Sequence, residues 1–267
     1  MDNRAIGVFD SGVGGLTVLR EIIKELPRES TLYFGDTQRF PYGPKDLGDV
    51  RNFVFKAAEF LREENVKMIV IACNTGSVAA LNGLKANFDL PVTGVIEPGA
   101  RTAVNNTKNK RVGVIATKGT VESGVYENEI KKIDPGIKTF SVAAPTLIEY
   151  VEEGILEGKR LEDEIRDYLK PLLREDIDVL VLGCTHFPLI EKPILSVCGN
   201  NLKVISSAVE TAKDVRQLLI EKRIAADTGN KANRIFYETA ANSNFFKTGQ
   251  MFLGREINEV KKIWLDI

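Results

Sequence analysis

The sequence predicts an α/β protein made of two similar α/β domains with mostly parallel sheets. Short apolar, β-branched runs alternate with longer segments of helical period, which is the pattern of strands joined by helices. The same alternation recurs in the second half of the chain. A length of 267 residues also suits two domains of roughly 100–150 residues each.

The elements of the first half follow in order from their apolar spacing. A strand at residues 6–9 precedes a glycine turn at residues 12–15, and Pro27 stops the helix that comes next. A second helix presents apolar side chains from Val50 to Leu61. Further strands are predicted at residues 31–34, 68–72 and 92–96.

Four apolar segments of the first half recur in the same order in the second half. Residues 66–73 (VKMIVIAC) align with residues 177–184 (IDVLVLGC) at an offset of 111, and residues 6–9 align with residues 112–115. Two weaker pairs keep the order: residues 31–35 with 138–142, and residues 92–96 with 202–206. Because chance similarity between short strands does not preserve order, the pattern indicates two related halves.

This repeat predicts the domain boundaries. One discontinuous domain is expected at residues 1–96 and 207–267, with the second domain inserted at residues 97–206. The tail then returns to the first domain, with a strand predicted at residues 234–239 and a helix at residues 242–253.

Composition excludes several classes of protein. The chain has 36 basic and 37 acidic residues, so no net field attracts nucleic acid or anionic lipid. No apolar run approaches the roughly 20 residues that a membrane helix needs. Three cysteines do not form a disulfide framework, and the amino terminus leads into a strand without a signal-peptide pattern. A cytoplasmic protein without nucleic-acid or membrane partners is therefore expected.

Two cysteines occupy equivalent places in the repeat. Cys73 and Cys184 each follow a buried strand and precede polar residues. Ligands of open α/β sheets bind at the carboxyl ends of strands, and a helix beginning there stabilises a thiolate. A lone cysteine in this setting is more simply a small buried hydrophobe, which is our interpretation of Cys198. Two equivalent cysteines favour a catalytic role.

The single histidine, His186, lies two residues after Cys184 and can exchange protons with a thiol or a substrate. It can instead be a loop histidine bonded to backbone. A zinc site formed by Cys73, Cys184 and His186 is a further alternative, but no Cys-x-x-Cys or His-x-x-x-His spacing supports it. We therefore predict no metal.

Three loops after strands supply further candidates. Asp10 and Ser11 open a glycine loop that fits no phosphate-binding fingerprint and can bring backbone amides to a small ligand, or can simply cap the next helix. Tyr42 and Gly43 lie in a proline-bracketed loop, whose simpler interpretation is a stiff surface turn. Thr117 and Thr120 occupy the corresponding place in the second half and suit a small anionic group.

Together these segments resemble the cofactor-independent aspartate/glutamate racemase superfamily, and its glutamate racemases in particular. The motifs run in order over nearly the whole chain: IGVFDSGVGGLTV (residues 6–18), GDTQRFPYGP (35–44), IACNT (71–75), GVIEPGA (94–100), VEEG (151–154) and LGCTHFPL (182–189). The resemblance implies two α/β domains with the active site in the cleft between them.

The resemblance also implies residue roles. Cys73 and Cys184 are the two acid/bases, with Asp10 assisting Cys73. Glu152 and His186 assist Cys184, although an acidic helical stretch also allows Glu152 to be a solvated surface residue. Binding of the substrate carboxylates and ammonium is implied for Asp10, Ser11, Tyr42, Gly43, Asn74, Thr75, Thr117, Thr120, Thr185 and His186.

The implied reaction is the interconversion of L- and D-glutamate by proton transfer at the α-carbon. The counterpart of Cys73 takes the proton from D-glutamate, and the counterpart of Cys184 takes it from L-glutamate. No pyridoxal phosphate or other cofactor is expected, and a homodimer is implied. Two alternatives stay open: a racemase of the same superfamily acting on aspartate or a hydantoin, and a non-catalytic small-ligand binding protein or thiol sensor.

Overall fold

The computed structural model describes residues 1–199, 202–240 and 244–265. The chain divides into two compact units, one formed by Met1–Val95 with Ala208–Ile267 and the other by Ile96–Ser207. Each unit contains one parallel sheet with helices.

Strands and helices alternate through most of the described chain. The strands are β1 (Ile6–Asp10), β2 (Thr31–Gly35), β3 (Met68–Ile71), β4 (Val92–Gly94), β5 (Arg111–Ala116), β6 (Lys138–Ala143), β7 (Val179–Gly183), β8 (Lys203–Ser206), β9 (Arg234–Glu238) and β10 (Lys261–Lys262). The α-helices are α1 (Leu16–Glu25), α2 (Leu47–Glu63), α3 (Asn74–Asn87), α4 (Ile96–Asn106), α5 (Lys118–Glu122), α6 (Val125–Ile133), α7 (Pro145–Glu152), α8 (Lys159–Leu173), α9 (Glu191–Cys198), α10 (Ser207–Glu221) and α11 (Phe245–Leu253). Short 3₁₀ helices cover Phe187–Ile190 and Gly254–Glu256.

The sheet of the first unit has the strand order β10-β9-β2-β1-β3-β4, and the pairs are parallel. All residues of its central strands β1, β2 and β3 are buried, as expected for parallel strands covered on both faces. On one face Phe9, Phe34 and Ile71 pack with Phe60 and Leu61 of α2. This core fixes the carboxyl ends of the three strands beside one another.

The sheet of the second unit repeats this topology on a smaller scale. Its order is β6-β5-β7-β8, which corresponds strand for strand to β2-β1-β3-β4 of the first unit. The four segments that recur in the sequence are therefore the four strands that recur in the fold. The prediction of two similar α/β halves with parallel sheets is confirmed.

Element boundaries differ from the predictions at a few places. The strand predicted at residues 92–96 ends at Gly94, and Ile96 already begins α4. Val95 and Ile96 are fully or almost fully buried, and an apolar run alone does not separate a strand from the buried start of a helix. The predicted strand at residues 234–239 ends at Glu238. The predicted helix at residues 242–253 is observed from Phe245, and Asn242 lies outside the described residues.

Across the described ranges, the helices are all too short or too polar to span a lipid bilayer.

Candidate active site

Most of the predicted site residues of the first unit lie at the carboxyl edge of its sheet, where ligands of open α/β sheets bind. Asp10 ends β1, and Cys73 follows β3, which pairs with β1. The loop after β2 carries Tyr42 and Gly43. We call the following residues the first cluster: Asp10, Ser11, Tyr42, Gly43, Cys73, Asn74 and Thr75. All seven are buried.

Cys73 lies where α3 begins and acts as the amino-terminal cap of that helix. Its Sγ accepts a hydrogen bond from the Gly76 amide at 3.3 Å and lies 3.8 Å from Ser11 Oγ. The positive end of the helix dipole and the Gly76 amide both stabilise negative charge on the sulfur. Asn74 and Thr75 form the first turn of the same helix. The alternative of an inert buried thiol does not account for these polar neighbours.

The glycine loop after β1 is packed tightly around Asp10. Asp10 Oδ2 accepts a hydrogen bond from the Gly12 amide at 3.0 Å, and Tyr33 donates to the Gly12 carbonyl at 2.7 Å. A Cβ on Gly15 would lie 2.4 Å from Asp10 Cβ, so this position requires glycine. The capping residue of α1 is Gly15. The alternative that Asp10 or Ser11 caps α1 is therefore wrong.

The proline-bracketed loop is more than a surface turn, because Tyr42 and Gly43 are both buried. The Tyr42 hydroxyl donates to Asp36 Oδ2 at 2.6 Å. Burial, and after it the Asp36 charge, raise the pKa of the Tyr42 phenol well above its ordinary value, so the proton stays on the phenol. In the described part of the chain, neither the Tyr42 amide nor the Gly43 amide donates to a protein acceptor. Two adjacent amides of this kind suit a carboxylate.

The second unit gathers its predicted residues at the corresponding edge. Ala116, the last residue of β5, pairs with Gly183, the last residue of β7, so Thr117 and Cys184 follow paired strand ends. Thr117 caps α5, and its Oγ1 lies 2.9 Å from Thr120 Oγ1. We call the following residues the second cluster: Thr117, Thr120, Glu152, Cys184, Thr185 and His186. All are buried except Glu152.

Cys184, His186 and Glu152 form a hydrogen-bonded chain. His186 Nδ1 lies 3.6 Å from Cys184 Sγ, and His186 Nε2 lies 2.6 Å from Glu152 Oε1. Glu152 ends α7, and its side chain is 34% exposed, yet it contacts the buried imidazole. In this arrangement the thiol can act as a base, the imidazole can exchange a proton with it, and the carboxylate orients the imidazole.

The imidazole of this chain favours the protonated state. Burial opposes its charge, but hydrogen bonds to Cys184 and Glu152 and the charges of both partners outweigh burial. Together they raise the pKa of His186 to about 10 from its ordinary 6.5. At neutral pH the imidazolium therefore faces Cys184 on one side and Glu152 on the other, and it stabilises a thiolate at Cys184.

The structure adds residues that the sequence did not single out. Asp36 is buried and holds the Tyr42 hydroxyl. Tyr126 is buried in the second unit, and burial together with the Cys184 charge raises the pKa of its phenol. Asp36 could have been found, because it directly follows β2 within the GDTQRFPYGP motif. Nothing in the sequence indicated a role for Tyr126, because its spacing is that of an ordinary apolar residue of α6.

Metal binding has little support. Within residues 1–199, 202–240 and 244–265, no group of three or more histidine, cysteine, aspartate or glutamate side chains is arranged to hold a metal ion.

The comparison with known families decides the class. A profile described as Asp/Glu/Hydantoin racemase matches residues 6–215. The chain belongs to this family. The prediction made from the sequence motifs is confirmed, and the protein is an amino-acid racemase of the Asp/Glu/hydantoin racemase family.

Individual members of the family match over almost their whole length. The glutamate racemase of Bacillus cereus is 42% identical over 264 residues, which cover 99% of this chain and 98% of that protein. A crystal structure of a glutamate racemase isoform from Bacillus anthracis superposes with a TM-score of 0.93 at 42% identity, covering 100% of this chain and 99% of that chain. The glutamate racemase of Francisella tularensis, solved in complex with D-glutamate, gives a TM-score of 0.93 at 36% identity, with the same shares covered.

Proposed function

We propose that this protein interconverts L- and D-glutamate without a cofactor, using Cys73 and Cys184 as two acid/bases. The observation that carries the proposal is the equivalence of the two thiols. Each follows a strand at the same position of a repeated topology, and each has its own polar partners. Racemisation removes a proton from one face of the α-carbon and delivers one to the other, so it needs one base for each face. The mechanism requires both thiols to reach the α-carbon of one glutamate.

Recognition of the zwitterionic substrate is assigned to groups of both clusters. The Asp10 carboxylate suits the ammonium group, and the adjacent Tyr42 and Gly43 amides suit a carboxylate. Ser11, Asn74 and Thr75 add hydroxyl and amide groups beside Cys73. In the second cluster Thr117, Thr120, Thr185 and His186 supply donors for the other end of the substrate.

In the L-to-D direction Cys184 is the base. The His186 imidazolium lies beside the Cys184 sulfur and stabilises the thiolate that acts as the base, and Glu152 holds the imidazolium in place. The thiolate takes the α-proton of L-glutamate, and the electron pair left on the α-carbon delocalises into the α-carboxylate. The Cys73 thiol then donates its proton to the opposite face, which yields D-glutamate and leaves a Cys73 thiolate. The reverse reaction exchanges the two roles.

The Cys73 thiolate formed by this step is stabilised at the start of α3. The Gly76 amide already donates to the sulfur at 3.3 Å. The α-proton of an amino acid is very weakly acidic, so donors placed around the carboxylates and the exclusion of water must supply much of the reduction in the barrier.

The choice of glutamate rests on the full-length matches to glutamate racemases at 36–42% identity. The role that follows is the supply of D-glutamate for cell-wall peptidoglycan by a cytoplasmic enzyme, and a homodimer is proposed as its assembly. Aspartate and hydantoins remain the alternative substrates within the superfamily.

The test is conversion of single enantiomers by the purified protein without added cofactor, followed by chiral chromatography. L- and D-glutamate are each expected to reach a mixture with equal amounts of both, because enantiomers have equal free energies in water. Aspartate and a hydantoin serve as competing substrates. Faster conversion of either would replace glutamate in the proposal.

Matched cysteine variants test the assignment of the bases. Cys73→Ser and Cys184→Ser are each expected to abolish racemisation, whereas Cys198→Ser, at the end of α9, should keep it. Full turnover by either of the first two variants would refute the two-base mechanism. If no substrate is converted, a Cys73–Cys184 disulfide or stoichiometric zinc would support the thiol-sensor alternative instead.

A further inference from the structure

Asp36 is a buried carboxylate whose oxygens are shared among three donors. The residue is 1% exposed. Tyr42 donates its hydroxyl to Oδ2 at 2.6 Å. Arg39 and Thr239 donate to Oδ1 at 2.8 Å and 2.9 Å. Removing one donor from a buried carboxylate leaves the charge under-stabilised and releases the other groups from their positions.

Two of these donors connect Asp36 to the last part of the chain. Thr239 directly follows β9, 203 positions after Asp36 in the sequence. Arg39 also donates to the Leu265 carbonyl at 2.7 Å, 226 positions away. The guanidinium of Arg39 lies 5.4 Å from the centre of the Phe53 ring, against which the Tyr42 ring also packs.

Residues 35–38 form further hydrogen bonds, through backbone and side-chain atoms, to residues 238–240. Thr239 accepts from the Gln38 amide at 2.9 Å, and the Thr239 amide donates to the Gly35 carbonyl at 3.3 Å. Thr37 donates to Glu238 and accepts from the Ala240 amide. The residues that lead into the Tyr42–Gly43 loop are therefore held in place by hydrogen bonds to residues 238–240, near the carboxy terminus.

The Tyr42 hydroxyl already donates its hydrogen to Asp36. The loop can therefore offer a ligand its backbone amides but not this hydroxyl hydrogen. Buried amides bind an anion only when their direction is fixed. Within the loop the Lys45 amide donates to the Tyr42 carbonyl, and the Tyr42 ring packs against Phe9 and Phe53. The hydrogen bond to Asp36 adds a polar anchor to this packing.

We propose that Thr239 and Arg39 are positioning residues for substrate binding, because they hold Asp36 and through it the Tyr42–Gly43 loop. This inference rests on the proposed function. It assigns a role in glutamate binding to the end of the chain, beyond residue 215, where the family profile stops. The loop amides bind the substrate and the transition state alike, so loss of their alignment raises KM and leaves kcat nearly unchanged.

The test compares variants of two threonines, Thr239 and Thr37. Each hydroxyl donates one hydrogen bond and accepts one from a backbone amide between the same two segments, but only that of Thr239 contacts Asp36. Thr239→Val removes the hydroxyl that donates to Asp36, and it is expected to raise the KM for both glutamate enantiomers roughly fivefold to tenfold, with kcat within about twofold. Thr239→Ser keeps the hydroxyl and should restore the wild-type KM. Thr37→Val removes a similar contact between the same two segments without touching Asp36. It should lower the thermal midpoint to a similar degree and leave KM unchanged.

A double-mutant cycle with Tyr42→Phe separates positioning from general destabilisation. If Thr239 acts through Asp36 and Tyr42, then Thr239→Val adds little to the KM of Tyr42→Phe. The proposal would be overturned if the KM effects of Thr239→Val and Tyr42→Phe multiply in the double variant. It would also be overturned if Thr37→Val raises KM as much as Thr239→Val does.

Calorimetric titration of D-glutamate into Cys73→Ser protein, with and without Thr239→Val, gives the same comparison as a change in Kd without turnover. Absence of racemisation by the wild type would refute the proposed function only. An unchanged Kd when Thr239→Val is added to the Cys73→Ser protein would refute the positioning role.

Discussion

The protonation of His186 depends on Glu152, and Glu152→Gln removes that support while preserving the shape of the side chain. In the wild type the hydrogen bonds and charges of Cys184 and Glu152 raise the pKa of His186 to about 10 despite complete burial. The Glu152 contact is a 2.6 Å hydrogen bond between charged groups. Glutamine keeps a hydrogen-bond acceptor but not the charge.

The size of the effect follows from the contact and its exposure. Hydrogen bonds to charged groups contribute about 1.5–3 kcal/mol, and the 34% exposure of the Glu152 side chain places this one at the lower end. Since 1.36 kcal/mol corresponds to one pKa unit, the pKa of His186 should fall by about one unit. The imidazolium then stabilises the Cys184 thiolate less, and kcat/KM for L-glutamate should fall by about tenfold.

The assay exploits the fact that the chain has one histidine. Protein labelled with ¹³C at the histidine ring gives a single imidazole signal, so its titration between pH 5 and 11 needs no assignment. Glu153→Gln is the matched control, because Glu153 is exposed, neighbours Glu152 and carries the same charge. It should leave both the His186 titration and kcat/KM unchanged. A wild-type His186 that titrates near 6.5, or an equal shift in both variants, would refute the proposed chain of Cys184, His186 and Glu152.

The remaining predictions concern stability. The folded-state pKa of His186 lies above its ordinary 6.5, so its contribution to the free energy of unfolding is complete below about pH 6.5 and is lost as the pH rises through about 10. The difference between wild type and His186→Asn in urea unfolding should therefore shrink over this range, and a difference that grows would contradict it. Lys67 Nζ is buried and contacts Glu29 Oε2 at 2.5 Å and the carbonyls of Asp2 and Ile224, so Lys67→Met should lower the free energy of unfolding by about 3–5 kcal/mol. The double variant with Glu29→Gln should lose less, and equal losses would refute an uncompensated Glu29 charge as the cause. Gly15→Ala should cost about 1–3 kcal/mol, because its Cβ would overlap Asp10, and a wild-type midpoint in urea would contradict that close approach.

The parts of the fold that the sequence predicts are those encoded by local spacing. Buried parallel strands appear as short apolar runs, so β1, β3, β5 and β7 are recognisable, and their recurrence predicts the shared topology. Cys73, Cys184 and His186 are candidates for the same reason, since each lies within three residues of the end of such a strand. Where apolar runs are ambiguous, as at Val95 and Ile96, the element boundary is wrong by one or two residues.

Contacts between distant segments could not be predicted in this way. Glu152 reads as one glutamate in an acidic helix, and its contact with His186 joins positions 34 apart. The bond between Thr239 and Asp36 spans 203 positions, and the buried Lys67–Glu29 pair joins two loops before strands. Neither periodicity nor residue type indicates which distant partner a polar side chain will meet. The resemblance supplied a role for Glu152, but the structure supplies its hydrogen bond.

The two-base mechanism is tested most directly by the position of deuterium when L-glutamate is converted in D₂O and sampled at low conversion. If Cys184 removes the proton from one face and Cys73 supplies a deuteron to the other, the D-glutamate formed carries deuterium at the α-carbon. The unreacted L-glutamate should retain its original proton. Deuterium entering unreacted L-glutamate as fast as product forms, or D-glutamate that keeps the original proton, would show that a single base serves both faces and would contradict the account.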